Sequence, residues 1–412
     1  MLDKQYILEN VEAVKQNIVD RGVYVDLERF LQLESERRVL NAELEEMRAL
    51  RNAGSKNKPS EEDIAKMRDL GMQIKFREET LAGIDLEYIE LYRSIPNMSH
   101  PDAPIGGEDD AKEVEIYGGL PSFNFEHKTH DEIMLEKNMI DFERGAKVVG
   151  SKFYFTKGDL VRLNMALLQL GMDIAAKHGF ELIETPDLAK NEILSGIGFN
   201  PRGEETQVYS IEGTDLSLIG TAEITMGGYH SDEVLDFTHG PKKYVALSHC
   251  YRTEAGAYGK TSKGLYRVHQ FTKLEMFVYC HPLESEEIHA QLLAIEKEIC
   301  DALELSYHVV DIATGDLGAP AYRKYDIEAW MTMKDGYGEV TSTSNCTDYQ
   351  ARRLNIKFVD QEGKRQFVHT LNGTAIVTSR MPIALIEQHQ QADGTVKIPA
   401  ALQPYMGGKT VI

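Results

Sequence analysis

The chain has 412 residues, 42% hydrophobic and 27% charged, a composition that suits a globular protein too long for one compact core. Its formal charge of −21 opposes indiscriminate binding to phosphate backbones, which argues against a general RNA-coating protein but not against an enzyme with local basic patches. There is no apolar run near the roughly 18 residues of a membrane span, and the polar start Met1-Leu2-Asp3-Lys4-Gln5-Tyr6 lacks a signal-peptide core, so a cytoplasmic location is expected.

In chain order, residues 3–20 read as a short helix with Ile7, Val11, Val14 and Ile18 on one face, closed by Arg21-Gly22. Two longer helical patterns follow. Phe30, Leu33, Leu40, Leu44 and Met47 recur at steps of three and four. Met67, Leu70, Ile74, Leu81, Ile84, Tyr88, Leu91 and Ile95 continue in a second run. Gly54-Ser55-Lys56-Asn57-Lys58-Pro59-Ser60 separates them, with Ser60 placed to cap the second helix. The pattern predicts an antiparallel coiled-coil hairpin, a projecting arm roughly 40–50 Å long. The expected organisation is a helical domain over 1–100, a linker over 101–120 rich in Pro, Gly and acidic residues, and a second domain over 121–412. In that second domain, short β-rich runs alternate with helices near 158–178 and 284–304, which predicts an α+β fold on an antiparallel sheet.

Cys250, Cys280, Cys300 and Cys346 are far apart and form no Cys-x-x-Cys pair, so reduced structural thiols are expected and no zinc. His249, His269 and His369 lack metal-ligand spacing and read as structural hydrogen-bonding groups. Trp330 reads as core, and Met331-Thr332-Met333 as sheet packing.

The chemistry concentrates between His249 and Tyr279. Arg252-Thr253-Glu254 ends one strand-like run; a Gly-studded loop follows, and a second run leads from Leu265 to Glu275. Two strands around that loop would bring Arg252, Glu254, Arg267, Phe271 and Glu275 together. A fixed Arg stabilises a phosphate under attack, an aromatic ring gives a slot for a base, and carboxylates can hold magnesium or an ammonium.

Arg252-Thr253-Glu254, the loop, and Arg267-Val268-His269-Gln270-Phe271-Thr272-Lys273-Leu274-Glu275 closely resemble motif 2 of the seryl-tRNA synthetases. Thr221-Ala222-Glu223 resembles the serine-binding sequence of that family. The segment from Glu339 to Arg353 resembles its nucleotide-side strand and turn, and His369 through Arg380 and Glu387 its motif 3. Residues 150–201, with Pro186, resemble the motif 1 helix and strand used there for dimerisation. The resemblance spans essentially the whole chain, arm included. It implies a class II aminoacyl-tRNA synthetase domain behind a tRNA-gripping arm, acting as a homodimer on L-serine, ATP with Mg2+, and tRNA(Ser); whether tRNA(Sec) is also an acceptor is a question the sequence leaves open.

Carried over residue by residue, the resemblance makes Arg252 and Arg380 the catalytic cations. Arg252 would contact the α-phosphate and the serine carboxylate. Arg380 would contact the γ-phosphate and one face of an adenine whose other face lies on Phe271. Thr253, Glu254, Val268, Val340 and Thr341 would complete the ATP site, and Glu339 with Ser342 would hold the metal. Thr221, Ala222, Glu223, Glu275, Asn372 and Thr374 would shape the serine pocket. Arg48, Arg51, Lys56 and Lys58 near the arm tip, and Lys260 and Lys263 in the loop, are candidate tRNA contacts. The arm looks about one heptad shorter per helix than in many bacterial relatives. Thr374 stands where Ser is common, which keeps the hydroxyl.

Overall fold

The structure, a computed structural model, describes residues 1–54, 60–199, 208–254 and 264–412. Lys56, Lys58, Lys260 and Lys263, expected as tRNA contacts, lie outside the described residues. The chain divides into two compact units, Met1–Met98 and Ser99–Ile412.

The first unit opens with two helices where the periodicity suggested one: α1 (Lys4–Glu9) and α2 (Val11–Asp20). The break falls at Asn10, whose side-chain amide donates to the Tyr6 carbonyl at 3.0 Å and so caps the preceding turn. Asparagine competes with the backbone in this way, which is why it favours helix ends. Two long helices follow, α3 (Leu27–Gly54) and α4 (Glu61–Ser94). Ser60 caps α4 in a reciprocal capping box with Asp63.

Ion pairs fix the antiparallel register of the hairpin: Arg29–Glu87 at 2.7 Å, Arg37–Asp85, Arg77–Glu43 at 2.7 Å and Arg48–Glu78 at 2.6 Å. Near the base, Phe30 stacks on Tyr88 at 5.1 Å, and the Arg37 guanidinium covers the Tyr88 ring at 3.9 Å. Burial thins away from that base. Phe30, Leu33, Leu44, Ile74 and Tyr88 are buried, whereas Met47, Met67 and Leu70 are only half-buried.

The second unit is built on an eight-stranded sheet. Its strands are β1 (Lys112–Tyr117), β2 (Glu181–Glu184), β3 (Lys242–Tyr251), β4 (Gln270–Cys280), β5 (Tyr307–Asp311), β6 (Arg323–Met331), β7 (Gly336–Asn345) and β8 (His369–Val377). The spatial order is β1-β5-β6-β7-β8-β4-β3-β2. Among the described residues of this sheet, only the edge pair β2–β3 is parallel. Strand β1 falls inside the stretch expected as a linker, so 112–117 belong to the sheet edge.

Helices α5 (Asp159–Lys177) and α6 (Ser285–Ala302) lie on one face of the sheet. They share a core with Leu274, Met276, Val278, Leu371 and Ile376 of the sheet. The other face is divided: Tyr244, Ala246, Phe277 and Tyr279 pack there in a second core with Ala222, Met226 and Leu354, and polar side chains occupy the remainder. Trp330, expected in the core, is half-buried and meets Tyr337 edge-on. All four cysteines are buried thiols.

Gly83 sits exposed inside α4, and a Cβ there would meet nothing within 4 Å. Gly83→Ala should therefore stabilise the hairpin by about 0.5–1 kcal/mol, because alanine loses less backbone freedom on folding. The check is a higher denaturation midpoint for the transition that reports on the helical unit. An unchanged or lower midpoint would show that the glycine is needed for something other than helix.

Candidate active site

Three adjacent strands in the middle of the sheet supply the site. On β4 the alternation of the pleat places Phe271, Lys273 and Glu275 on one face at steps of two, while Leu274 and Met276 enter the helix-covered core. On β8, Thr370, Asn372 and Thr374 share that polar face. Gly373 points the other way, and a Cβ there would lie 3.0 Å from Glu296 Oε1, 3.2 Å from Thr343 Oγ1 and 3.3 Å from Met276 Cε. Any larger residue would have to displace these side-chain ends by a few tenths of an ångström, so α6 approaches β8 closely here. Thr374 stands directly opposite Glu275 in the β8–β4 register.

Strand β7 carries a bulge opposite Ile327–Glu328, which inserts Val340 as an extra residue. Without it, Glu339 and Thr341 would share a face. With it, Thr341 turns under the sheet and donates to Glu296 Oε2 on α6 at 2.9 Å, while Glu339 lines the cleft. Ser342 pairs in register with Asp326 of β6, so their side chains share the face opposite to Thr341. The Thr341 hydroxyl, expected among the nucleotide contacts, is thus committed to Glu296.

The cleft above these strands has an empty volume, mouth included, of about 460 Å³. Its lining brings together Arg252, Glu254, Val268, Phe271, Glu339, Val340, Thr374 and Arg380, all singled out from sequence, and adds Tyr266, Lys273 and Ser379. The Arg252 guanidinium lies 5.2 Å over the Phe271 ring, with its Nε on the Gly220 carbonyl at 3.2 Å. Arg380 lies 4.8 Å over Tyr266, rather than over Phe271, and pairs with Glu339 at 2.8 Å. Burial would raise the Glu339 carboxyl, but Arg380 and then Lys324 outweigh it and hold it well below the usual carboxylate range. Glu254 adopts φ +50 and receives Arg267 Nη1 at 2.9 Å.

Beside the cleft is a compact polar pocket. Glu275, buried on β4, takes Lys273 Nζ at 2.6 Å on one oxygen. Its other oxygen takes the Thr221 hydroxyl and the Glu223 backbone N–H, the latter at 2.9 Å. Lys273 Nζ also donates to Thr221 Oγ1 at 2.8 Å. Glu223 accepts from Gln350 at 2.7 Å and from Asn372 at 3.0 Å. Burial, followed by the charge on Glu275, pushes the Glu223 carboxyl up to about 7. Ala222 is buried at the start of the same helix (Ala222–Gly228), with its neighbour Thr221 as the N-cap.

The histidines take structural bonds: His249 to Asp187, His269 Nδ1 to the Arg252 carbonyl at 2.9 Å, and His369 to Ser285. On the hairpin, Arg48 is tied to Glu78, while Arg51 is exposed in the last turn of α3.

Sequence reasoning passed over Lys273, Gln350 and Glu296. Lys273 was accessible by period two, since it sits midway between Phe271 and Glu275. Glu296 had a signal as well: it follows Ile288, Leu292 and Ile295 on the apolar seam of α6, where a charge is out of place. It is 0% exposed, and burial raises its carboxyl well above the ordinary range.

An antiparallel sheet flanked by helices, with Arg and Glu side chains around an aromatic slot, is the core of a class II aminoacyl-tRNA synthetase. Residues 207–389 match the tRNA synthetase class II core domain (G, H, P, S and T), and residues 1–99 match the seryl-tRNA synthetase N-terminal domain. A serine–tRNA ligase of Treponema denticola is 54% identical over 99% of both chains. One of Rubrobacter xylanophilus is 51% identical over 100% of this chain and 99% of the other. Among solved structures, the seryl-tRNA synthetase of Pyrococcus horikoshii complexed with ATP superposes with a TM-score of 0.90 at 36% identity, covering 100% of this chain and 99% of that one. A prolyl-tRNA synthetase of Giardia lamblia, 16% identical with a TM-score of 0.59, shares the fold alone.

The chain belongs to the seryl-tRNA synthetase family. It is an ATP-dependent ligase that charges tRNA with serine.

Burial pushes the Glu296 carboxyl well above its ordinary range, so folding favours its protonated form, while in the unfolded chain it ionises in that ordinary range. Its stabilising contribution is therefore complete at low pH and declines as pH rises towards its folded value. Glu296→Gln keeps an acceptor for Thr341 without the acid. Relative to the parent, its unfolding midpoint should be higher at pH 8 than at pH 5, measured by thermal denaturation. A pH-independent difference would mean that Glu296 is not held neutral.

Proposed function

We propose that the cleft binds ATP and the polar pocket binds serine, with the residues acting as follows; the observation that carries this reading is the single face shared by Phe271, Lys273 and Glu275. Adenine lies against Phe271, with Glu254 and the Val268 backbone at its edge and Thr253 beside them. Arg252 leans over the same ring and reaches both the α-phosphate and the serine carboxylate. Arg380 takes the γ-phosphate after leaving Tyr266 and Glu339. Val340 and the Thr341 backbone line the nucleotide side.

Magnesium suits the donors present. Glu339 and Ser342 are hard oxygen ligands on the cleft face, and Asp326 Oδ1, opposite Ser342, is buried with no hydrogen-bond partner in the structure. Glu339 and Ser342 would hold the ion, which when bound would neutralise phosphate charge.

In the pocket, Glu223 attracts the serine ammonium, while Glu275 and Thr374 read the hydroxyl. A site built to bond that hydroxyl rejects alanine by about 10⁴-fold, whereas threonine is excluded only by lack of room for one methyl. The serine carboxylate attacks the α-phosphate in line, giving seryl-adenylate and pyrophosphate. The 3′-terminal ribose hydroxyl of tRNA then attacks the activated carbonyl. No side-chain nucleophile takes part; positioning and fixed positive charge lower the barrier.

The helical hairpin grips tRNA, with Arg51 as its available basic contact near the described tip. The domain assignment is a helical unit up to about residue 100 and a catalytic unit beyond. A homodimer forms across the β2 edge, where Met165 and Leu182 are exposed apolar side chains.

Arg252→Ala and Arg380→Ala should each lower serine-dependent ATP–pyrophosphate exchange by about 10²–10³-fold; near-parental exchange in either would refute its assignment. In the parent, kcat/KM for serine should fall as pH drops below about 7, where Glu223 gains its proton and loses its attraction for ammonium. Deleting residues 45–70 should spare exchange but impair transfer to tRNA. Transfer at the full rate would remove the hairpin from tRNA binding.

A further inference from the structure

Gln350 lies in a short helix (Tyr349–Leu354) and is 0% exposed. Its Nε2 donates to Glu223 Oε1 at 2.7 Å and to the Ile197 carbonyl at 3.3 Å. Its Oε1 accepts from Thr370 Oγ1 at 2.7 Å. Reversing the amide would set its oxygen against a carboxylate and a carbonyl, so these partners fix one orientation. Asn372 reaches the same Glu223 oxygen at 3.0 Å. With both amides converging on Oε1, Oε2 is the oxygen available to a further donor.

We propose that Gln350 is a positioning residue for the substrate ammonium, acting through Glu223, and that Thr370 holds Gln350 in the orientation this requires. The proposal rests on the assignment of Glu223 to the serine pocket. Gln350 never touches serine; it aims the group that does. The charged groups around Glu223 are Glu275 and Lys273 from β4 and Arg252 beyond β3. Burial and Glu275 drive the carboxyl towards its neutral form, and the Gln350 hydrogen bond opposes them together with the two cations. A lost hydrogen bond to a buried charged group costs more than one to a neutral group, so the arrangement matters energetically. Glu223 should therefore hold its proton to a higher pH without Gln350, and a protonated carboxyl no longer attracts an ammonium. Because Thr370, Asn372 and Thr374 follow one another on the same face of β8, one strand serves Gln350, Glu223 and the cleft in turn.

The test is ATP–pyrophosphate exchange by Gln350→Met, similar in volume but without the amide, across pH 6–9. The expected result is a rise of about tenfold in KM for serine at pH 7, the loss appropriate to one charged hydrogen bond. KM for ATP should stay within about twofold of the parent, and the acid limb of kcat/KM for serine should move to higher pH. A merely structural role would affect both substrates together and leave the limb in place, and that result overturns the proposal. Glu223→Gln runs alongside. If it loses serine while Gln350→Met does not, the positioning role alone fails; if it too binds serine normally, the assignment of the pocket fails first. Should Gln350→Met not fold, as judged by its thermal transition, Thr370→Val releases the Gln350 amide while keeping the strand. It is expected to raise KM for serine by about threefold in the same direction, and an unchanged value there overturns the proposal.

Discussion

The constraint on which the catalytic unit depends is the pairing register of β4, β7 and β8. Because side chains alternate faces, a slip of one residue in any of these strands would send its functional groups into the helix-covered core and bring leucine and isoleucine into the cleft. The register is pinned from the apolar side by Leu274, Met276, Leu371 and Ile376 packed under α5 and α6. It is adjusted from the polar side by bulges at Val340 and Ala375. The first lets Glu339 and Ser342, three residues apart, serve one face. The second lets Thr374 line the cleft and Ile376 fill the core.

Within that frame the site gathers more carboxylates than water exclusion ordinarily permits, and each is accommodated differently. Glu339 stays ionised beside Arg380 and Lys324. Glu275 is paired with Lys273 and bonded by Thr221 and a backbone N–H. Glu296 is pushed well above the usual carboxylate range by burial and accepts from the Thr341 hydroxyl. Glu223 lies between these extremes, held by two amides and, among the described residues, by no direct cation. Two carboxylates in one pocket resist simultaneous ionisation, and Lys273 is the group that relieves this, touching Glu275 and Thr221 together.

Much of this was legible in the chain. The heptad runs marked α3 and α4, the breaker-rich turn and Ser60 marked their junction, and helix limits for α5 and α6 fell within two residues of those read from periodicity. Arg252, Glu254, Phe271, Glu339, Thr374 and Arg380 do converge on one cleft. What periodicity could not supply is whatever depends on a partner distant in sequence. The Asn10 break turns on one side-chain amide. The assignment of β1 to the sheet depends on a pairing with β5 almost two hundred residues later. Thr341 faces the helices because of a bulge that no single strand reveals. Gln350 is an ordinary glutamine until Thr370 and Glu223 are brought against it.

The uneven packing of the hairpin has a consequence for its behaviour. Its base is closed by stacked aromatics and fully buried aliphatic side chains, whereas beyond Leu44 and Ile74 the helices are held by half-buried methionines, leucine and ion pairs at the surface. Exposed ion pairs add little free energy each and weaken with salt. The opening free energy of backbone amides should therefore decline along α3 towards its C-terminal end and along α4 towards its N-terminal end, so that hydrogen exchange in those helical turns proceeds by local opening while the base stays protected. A hairpin graded in this way can yield in its distal turns while the register of its base is preserved.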